Sequence, residues 1–147
     1  MKNLIIAVAG VYDCGKTTTL RMVRDKLIND LGGKIAPGGF NGGGDIKLVI
    51  DIKGFKIGIE TQGDPGGRLK ASLEKFASIH CEIIICACRS YGQTRDTVKS
   101  YDATHDVVIL DKGRAAAARQ TQENEKYRDD VVRIVRDRLA DLSRIAA

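Results

Sequence analysis

Tryptophan is absent from the 147-residue chain, and three phenylalanines and four tyrosines bring the aromatic share to only 5%. So few rings argue against a surface on which several bases or sugars stack, and nucleic acid is not an expected partner. Proline occurs twice, and no apolar run approaches the roughly 20 residues of a membrane-spanning helix. The apolar stretch 4–9 behind Lys2 is too short for a secretory signal and reads better as a buried strand. Cysteine is limited to Cys14, Cys81, Cys86 and Cys88. None forms a C-x-x-C pair, and His80 and His105 do not complete a zinc set with them. Cys86 and Cys88 alternate in an apolar run, so both are expected on one buried face of a strand. Free buried thiols suit a reducing compartment, and the expected location is the cytoplasm.

Neither charge sign is scarce. Lysine and arginine number 24 against 19 acids, for a net charge of +5, and the two signs interleave along most of the chain. That balance lacks the segregated stripe of a nucleic-acid binder but suits a phosphorylated ligand. With 43% hydrophobic and 29% charged residues, the composition is that of an ordinary globular protein. The length corresponds to a single domain over 1–147.

Apolar, branched residues at 4–9 predict a central parallel strand covered on both faces. Leu20, Val23, Leu27 and Leu31 then recur at helical spacing over 16–31. Between 32 and 44, seven of 13 residues are glycine. Such a stretch has high backbone entropy and little to pack, so it is expected to be a mobile loop able to close over a ligand. Segments 46–52 and 55–61 read as a hairpin around Lys53-Gly54. A helix follows at 67–78, a strand at 82–88, a short helix at about 93–101 and a strand at 106–111. A charged helix occupies about 115–146, with Val131, Val135, Leu139 and Leu142 in its apolar stripe. Strands alternating with helices predict an α/β fold with a mostly parallel, five-stranded sheet and one antiparallel hairpin strand.

The chemistry is concentrated in Gly10-Val11-Tyr12-Asp13-Cys14-Gly15-Lys16-Thr17, which is G-x-x-x-x-G-K-T. A chance match in a chain this long is on the order of one per cent. The motif follows a buried strand and opens an amphipathic helix, the arrangement that a phosphate-binding loop requires. Around Gly10, Asp13, Cys14 and Gly15, backbone N–H groups can turn inward onto phosphate oxygens. The helix N-terminus adds its own donors. Lys16 can reach β- and γ-phosphates, Thr17 can ligate Mg²⁺, and Thr18 can assist at the α-phosphate. Cys14 lies near a helix N-terminus, where a thiol tends toward a lowered pKa, so alkylation is expected to block the site.

On these residues the chain resembles the P-loop NTPase superfamily. The resemblance implies a three-layer, Rossmann-like sandwich with Mg²⁺-nucleoside triphosphate as ligand. It also implies an acid near Mg²⁺ at the end of a hydrophobic strand, for which Asp51, Glu60 and Asp111 are candidates. Glu60 is preferred, because its strand is expected beside the first strand while Asp111 is expected to lie far from it. Asp64 is the second metal candidate. Glu60-Thr61-Gln62-Gly63 also resembles the D-x-x-G switch of GTPase-like members, which implies that Gly63 senses phosphate and that Gln62 or Asp64 orients a water or acceptor. The N-K-x-D guanine signature of those members is missing, so ATP is expected rather than GTP. Arg89 follows a buried strand at the edge where ligands bind, and is a candidate clamp for transferring phosphate.

Two kinds of function remain. One is a small kinase moving the γ-phosphoryl of ATP to a nucleotide or other small phosphorylated acceptor. The phosphate loop looks like that of thymidylate kinase, but the D-R dipeptide of such kinases is replaced by Glu60-Thr61, and no dedicated monophosphate-binding insertion is evident. The other is an NTPase switch read by a protein partner, or a nucleotide-binding module without catalysis.

Overall fold

The computed structural model describes residues 1–11, 14–41, 44–62 and 66–146. Strand β1 (Asn3–Ala9) leads into helix α1 (Lys16–Asn29). Two short strands, β2 (Lys34–Ile35) and β3 (Phe40–Asn41), precede the hairpin of β4 (Ile46–Ile52) and β5 (Phe55–Glu60). Helix α2 (Gly66–Ser78), strand β6 (Ile83–Cys88) and helix α3 (Gln93–Lys99) follow. Strand β7 (His105–Asp111) and helix α4 (Gln120–Ala146) end the chain.

The sheet runs β2-β4-β5-β6-β1-β7, with β3 also on the outer edge of β4. Strands β5, β6, β1 and β7 are mutually parallel. Strand β4 is antiparallel to β5 across a turn in which Lys53 and Gly54 both have positive φ, at 55° and 86°. That is the conformation of a tight hairpin turn. The sheet therefore has seven strands rather than the five expected. The two additional ones come from the glycine-rich segment, expected to lack regular structure. Lys34 and Ile35 pair with Asp51 and Ile50, and Phe40 and Asn41 pair with Lys47 and Ile46. A Cβ at Gly39 would collide with the Lys47 carbonyl, so this glycine permits the close approach to β4. Gly42 and Gly43 lie outside the described residues.

Alternation along the strands sends side chains to two cores. Leu4, Ile6 and Val8 pack with Leu20, Val23 and Leu27 of α1 and with Val131, Val135 and Leu139 of α4. Ile5, Ala7 and Ala9 pack on the other face with Leu69, Leu73 and Phe76 of α2 and Val98 of α3. The four cysteines are free and buried, and Cys86 and Cys88 share the second core, as their spacing predicts. Burial pushes the Cys81 thiol up to about 11. No helix among the described residues is long and apolar enough to cross a membrane.

Two expectations about strand order need correction. Strand β5 pairs with β6, not with β1, so Glu60 lies two strands from β1. Strand β7 pairs directly with β1, with Ala9 opposite Asp111, so Asp111 is near rather than far. The crossover from β6 through α3 passes over β1 and deposits β7 on its far side. Helical and strand periodicity carry no record of that step.

Gly58 in β5 lies under the Phe76 ring, which an added Cβ would meet at 2.7 Å. Gly58→Ala should overpack this point and cost about 1–3 kcal/mol, seen in thermal unfolding as a fall in Tm of roughly 4 °C or more. Adding Phe76→Leu should relieve the clash, making the double variant's loss smaller than the sum of the single losses. Strict additivity would contradict this packing.

Candidate functional site

The carboxyl ends of β5, β6, β1 and β7 share one edge of the sheet. Adjacent to β1, helices leave on opposite faces, which is the geometry that opens a crevice for ligands in α/β sheets. At that edge Gly10 donates its backbone N–H to the Cys88 carbonyl at 3.1 Å. The Lys16 ammonium bridges the same two strands, donating to the carbonyls of Gly10 at 2.6 Å and Cys88 at 3.1 Å. Gly15 sits in the left-handed region at φ 90° immediately before α1. An added Cβ there would come within 2.5 Å of Asn124 Oδ1 and Gln120 Nε2. Backbone freedom and close approach therefore both require glycine at this position.

A set of side chains behind the loop holds it in place. Lys112, only 2% exposed, donates from Nζ to the Cys14 carbonyl at 2.6 Å, and Gln120 Nε2 donates to the same oxygen at 3.2 Å. The Lys112 backbone N–H donates to the Ala9 carbonyl at 2.6 Å. The Lys112 ammonium lies 5.5 Å from the centre of the Tyr127 ring, within cation–π reach. The Tyr127 hydroxyl in turn donates to the Asp111 carbonyl at 2.6 Å. Thr19 Oγ1 donates to the Gly15 carbonyl at 2.8 Å and faces Asn124 Oδ1 at 3.3 Å. Gln120, Asn124 and Tyr127 occupy the same helical stripe as the apolar Val131, Val135 and Leu139. The stripe is polar where α4 runs beneath loop carbonyls that need donors, and apolar where it covers the sheet. The sequence reading started this helix near 115. Ala117–Arg119 instead form a 3₁₀ turn, and α4 starts at Gln120.

Thr17 and Thr18 differ in setting. Thr18 is exposed, while Thr17 is half-buried with Oγ1 3.5 Å from Asp45 Oδ1. Thr61 Oγ1 donates to the same carboxylate oxygen at 2.8 Å, and the Ile46 N–H donates to Thr61 Oγ1 at 2.9 Å. Asp45 does not figure among the acids expected from the sequence. Those were sought at the ends of hydrophobic strands, whereas Asp45 precedes one. Because β4 runs antiparallel, its beginning lies at the edge where the parallel strands finish. Asp51, at the other end of β4, accepts from the Gly54 N–H in the hairpin turn at 3.0 Å and belongs to the opposite edge.

Glu60 is 1% exposed. Oε2 accepts from Ser72 Oγ of α2 at 2.8 Å, and Oε1 accepts from the Gln62 N–H at 3.0 Å. Burial raises its pKa above the ordinary glutamate value. The hydrogen bonds from Ser72 and Gln62 and the charge of Lys47 oppose that rise, while the charge of Asp45 adds to it. Glu60 thus lies within electrostatic reach of Asp45. Its two oxygens are engaged toward α2 and the 61–62 turn.

Arg89 directly follows Cys88 at this edge. Its side chain is exposed, and its backbone N–H donates to Thr94 Oγ1 at 2.9 Å. Arg95 pairs with Asp111 at 2.6 Å and so links α3 to the end of β7. The expected phosphate-loop residue Asp13 and the expected switch residues Gly63 and Asp64 lie outside the described residues. The Cys14 side chain is fully buried, so the alkylation expected from its sequence position requires the loop to open. Comparison of the chain with protein-family models, with curated proteins and with solved structures finds no match.

The raised pKa of Glu60 has a sign that can be tested without ligand. The native state binds this proton more tightly than the unfolded chain does. Stability contributed by the protonated form is therefore complete below the ordinary glutamate range and is lost as pH rises through the raised value. Glu60→Gln cannot ionise. The Tm of this variant relative to wild type should shift in its favour between pH 4 and pH 7, and a constant difference would contradict the burial-driven shift.

Proposed function

We propose that the protein is a P-loop phosphotransferase that binds Mg²⁺-ATP at the β1–α1 loop and passes its γ-phosphoryl group to a small acceptor. The observation that carries this reading is the Lys16 ammonium at the carboxyl edge, beside the turn at Gly15 and one residue before the Thr17–Asp45 pair. The ammonium donates to the carbonyls of Gly10 and Cys88. A phosphate oxygen can take their place and form a charge-assisted hydrogen bond instead. Backbone N–H groups at the start of α1 bind the remaining oxygens on this reading. On this reading the three-layer arrangement is that of the P-loop NTPase sandwich, and ATP is the proposed nucleotide because the N-K-x-D signature is missing.

The donor set fits Mg²⁺. One hydroxyl and one carboxylate, Thr17 Oγ1 and Asp45 Oδ1, lie 3.5 Å apart with Thr61 orienting the carboxylate. Among the described residues no cluster of three or more His, Cys, Asp or Glu side chains could hold a metal. Mg²⁺ commonly takes one or two carboxylates together with substrate phosphates and waters rather than a cage made wholly of protein. Thr17 and Asp45 would hold it, and when bound it would supply positive charge to offset that of the phosphates. Asp45 is proposed for the metal role assigned to Glu60 from the sequence. On this reading Lys16 neutralises charge on the β- and γ-phosphates, and Arg89, which follows β6 at the same edge, is the proposed clamp for the transferring group. A conformational NTPase switch is the second reading. It is favoured by one observation: Asp45, which contacts Thr17, directly follows the glycine-rich segment.

Triphosphate binding should raise Tm, by about 2.7 kcal/mol of added stability at 100 times its dissociation constant. Lys16→Ala should abolish that rise while leaving the ligand-free Tm nearly unchanged. Asp45→Asn should retain ATP binding but raise the Mg²⁺ concentration needed for half-maximal turnover by about tenfold or more, as expected for loss of about 1.4 kcal/mol of metal binding. An unaltered Mg²⁺ requirement in Asp45→Asn would remove it from the metal site.

A further inference from the structure

A cavity of about 340 Å³ is lined by Phe40, Lys47, Glu60, Gln62 and Arg68. Strand register explains how these residues meet. Phe40 is paired with Lys47, and Lys47 with Glu60, so the three form one cross-strand row on the face that carries α2. Arg68 enters from the first turn of α2, and Gln62 follows Thr61, the residue that holds Asp45. The volume lies at the lower end of the range for small-molecule sites.

We propose that this cavity is the acceptor subsite of the phosphotransferase, and that it takes a phosphate monoester carrying a flat, hydrogen-bonding ring, the chemistry of a nucleoside monophosphate. The assignment rests on the phosphotransferase reading above. Three features select the ligand class. Lys47 and Arg68 supply two cations for one anionic group, and an arginine can grip phosphate with two parallel hydrogen bonds. Phe40 is a large aromatic side chain left 46% exposed at the rim, where it offers a face for stacking. Glu60 and Gln62 give hydrogen-bonding groups deeper in.

A further selection is chemical. An alcohol acceptor needs a base to remove its proton. Among the described residues Glu60 is the one acid lining the cavity, and both its oxygens already accept hydrogen bonds, from Ser72 and from the Gln62 N–H. An ionised phosphate oxygen needs no base, only cations to offset its charge. In the transfer, that oxygen forms a bond to the γ-phosphorus while the bond from this phosphorus to the β–γ bridging oxygen breaks. The products are ADP and a phosphoanhydride, and no proton has to be removed from the acceptor. The cavity also supplies, within the sheet edge itself, the monophosphate site for which no dedicated insertion exists in the sequence.

The test is calorimetric titration of the common nucleoside monophosphates, of ribose 5-phosphate and, separately, of Mg²⁺-ATP. The proteins are wild type, Phe40→Ala and Arg68→Ala, both changes being at exposed side chains. At least one nucleoside monophosphate should bind wild type with a Kd at or below about 1 mM and weaken about tenfold or more in each variant. The Mg²⁺-ATP affinity should be the same in all three proteins. Ribose 5-phosphate should bind more weakly, with sensitivity to Arg68→Ala and none to Phe40→Ala. Mg²⁺-ATP binding without any monophosphate binding would overturn the subsite and leave the phosphate-loop reading standing, as would monophosphate binding indifferent to both variants. Monophosphate binding with the expected variant pattern, but no Mg²⁺-ATP binding, would keep the subsite and remove the phosphotransferase. Absence of both would remove both.

Discussion

The Cys14 carbonyl accepts hydrogen bonds from the Lys112 ammonium and the Gln120 amide. Most of the site depends on that interaction. A peptide carbonyl inside a phosphate-binding loop would repel an anion. Here two donors, Lys112 Nζ and Gln120 Nε2, compensate it. Lys112 is almost wholly buried, a position tolerated only when an ammonium finds strong acceptors. It finds one in the Cys14 carbonyl and rests near the Tyr127 ring, which is itself fixed to the end of β7. The left-handed turn at Gly15 then releases the chain into α1, with Lys16 and Thr17 at the edge.

A second constraint is the reversal at Lys53-Gly54. If β4 ran parallel to its neighbours, its beginning would lie at the far edge. The antiparallel hairpin instead brings Asp45 and Lys47 to the edge where β1 and β6 end. The same reversal lets β3 pair along the outer side of β4 and carry Phe40 into the row with Lys47 and Glu60. One tight turn thus assembles both the Thr17–Asp45–Thr61 contact and the adjoining cavity. Glu60 lies between them, bound to Ser72 and sensitive to the charge of Asp45.

The turn between β1 and α1 was legible in the sequence because its signal is local: eight consecutive residues between an apolar strand and an amphipathic helix. The five long strands and four helices were legible from periodicity. Sheet order was not, since no local pattern records that β7 lands beside β1 or that β6 separates β5 from it. Asp45 was missed for a related reason, because an acid that opens an antiparallel strand does not look like an acid that closes a parallel one. The polar start of α4 read only as part of a charged helix beginning near 115. Gln120 and Asn124 acquire their role only when that end is seen beneath the loop. The glycine-rich segment read as lacking structure from composition. Close approach along β4 gives Gly39 a packing reason that composition alone does not convey.

The central claim is that the turn around Gly15, Lys16 and Thr17 is the phosphate site. Titration of Mg²⁺-ATP into isotopically labelled protein, followed through backbone amide resonances, tests it most directly. The amides of Gly15, Lys16 and Thr17 should show the largest shifts and gain protection from solvent exchange. Gly54, in the hairpin turn at the opposite edge, should remain unmoved. Shifts centred on the hairpin, or no shifts at the start of α1 at saturating nucleotide, would contradict it.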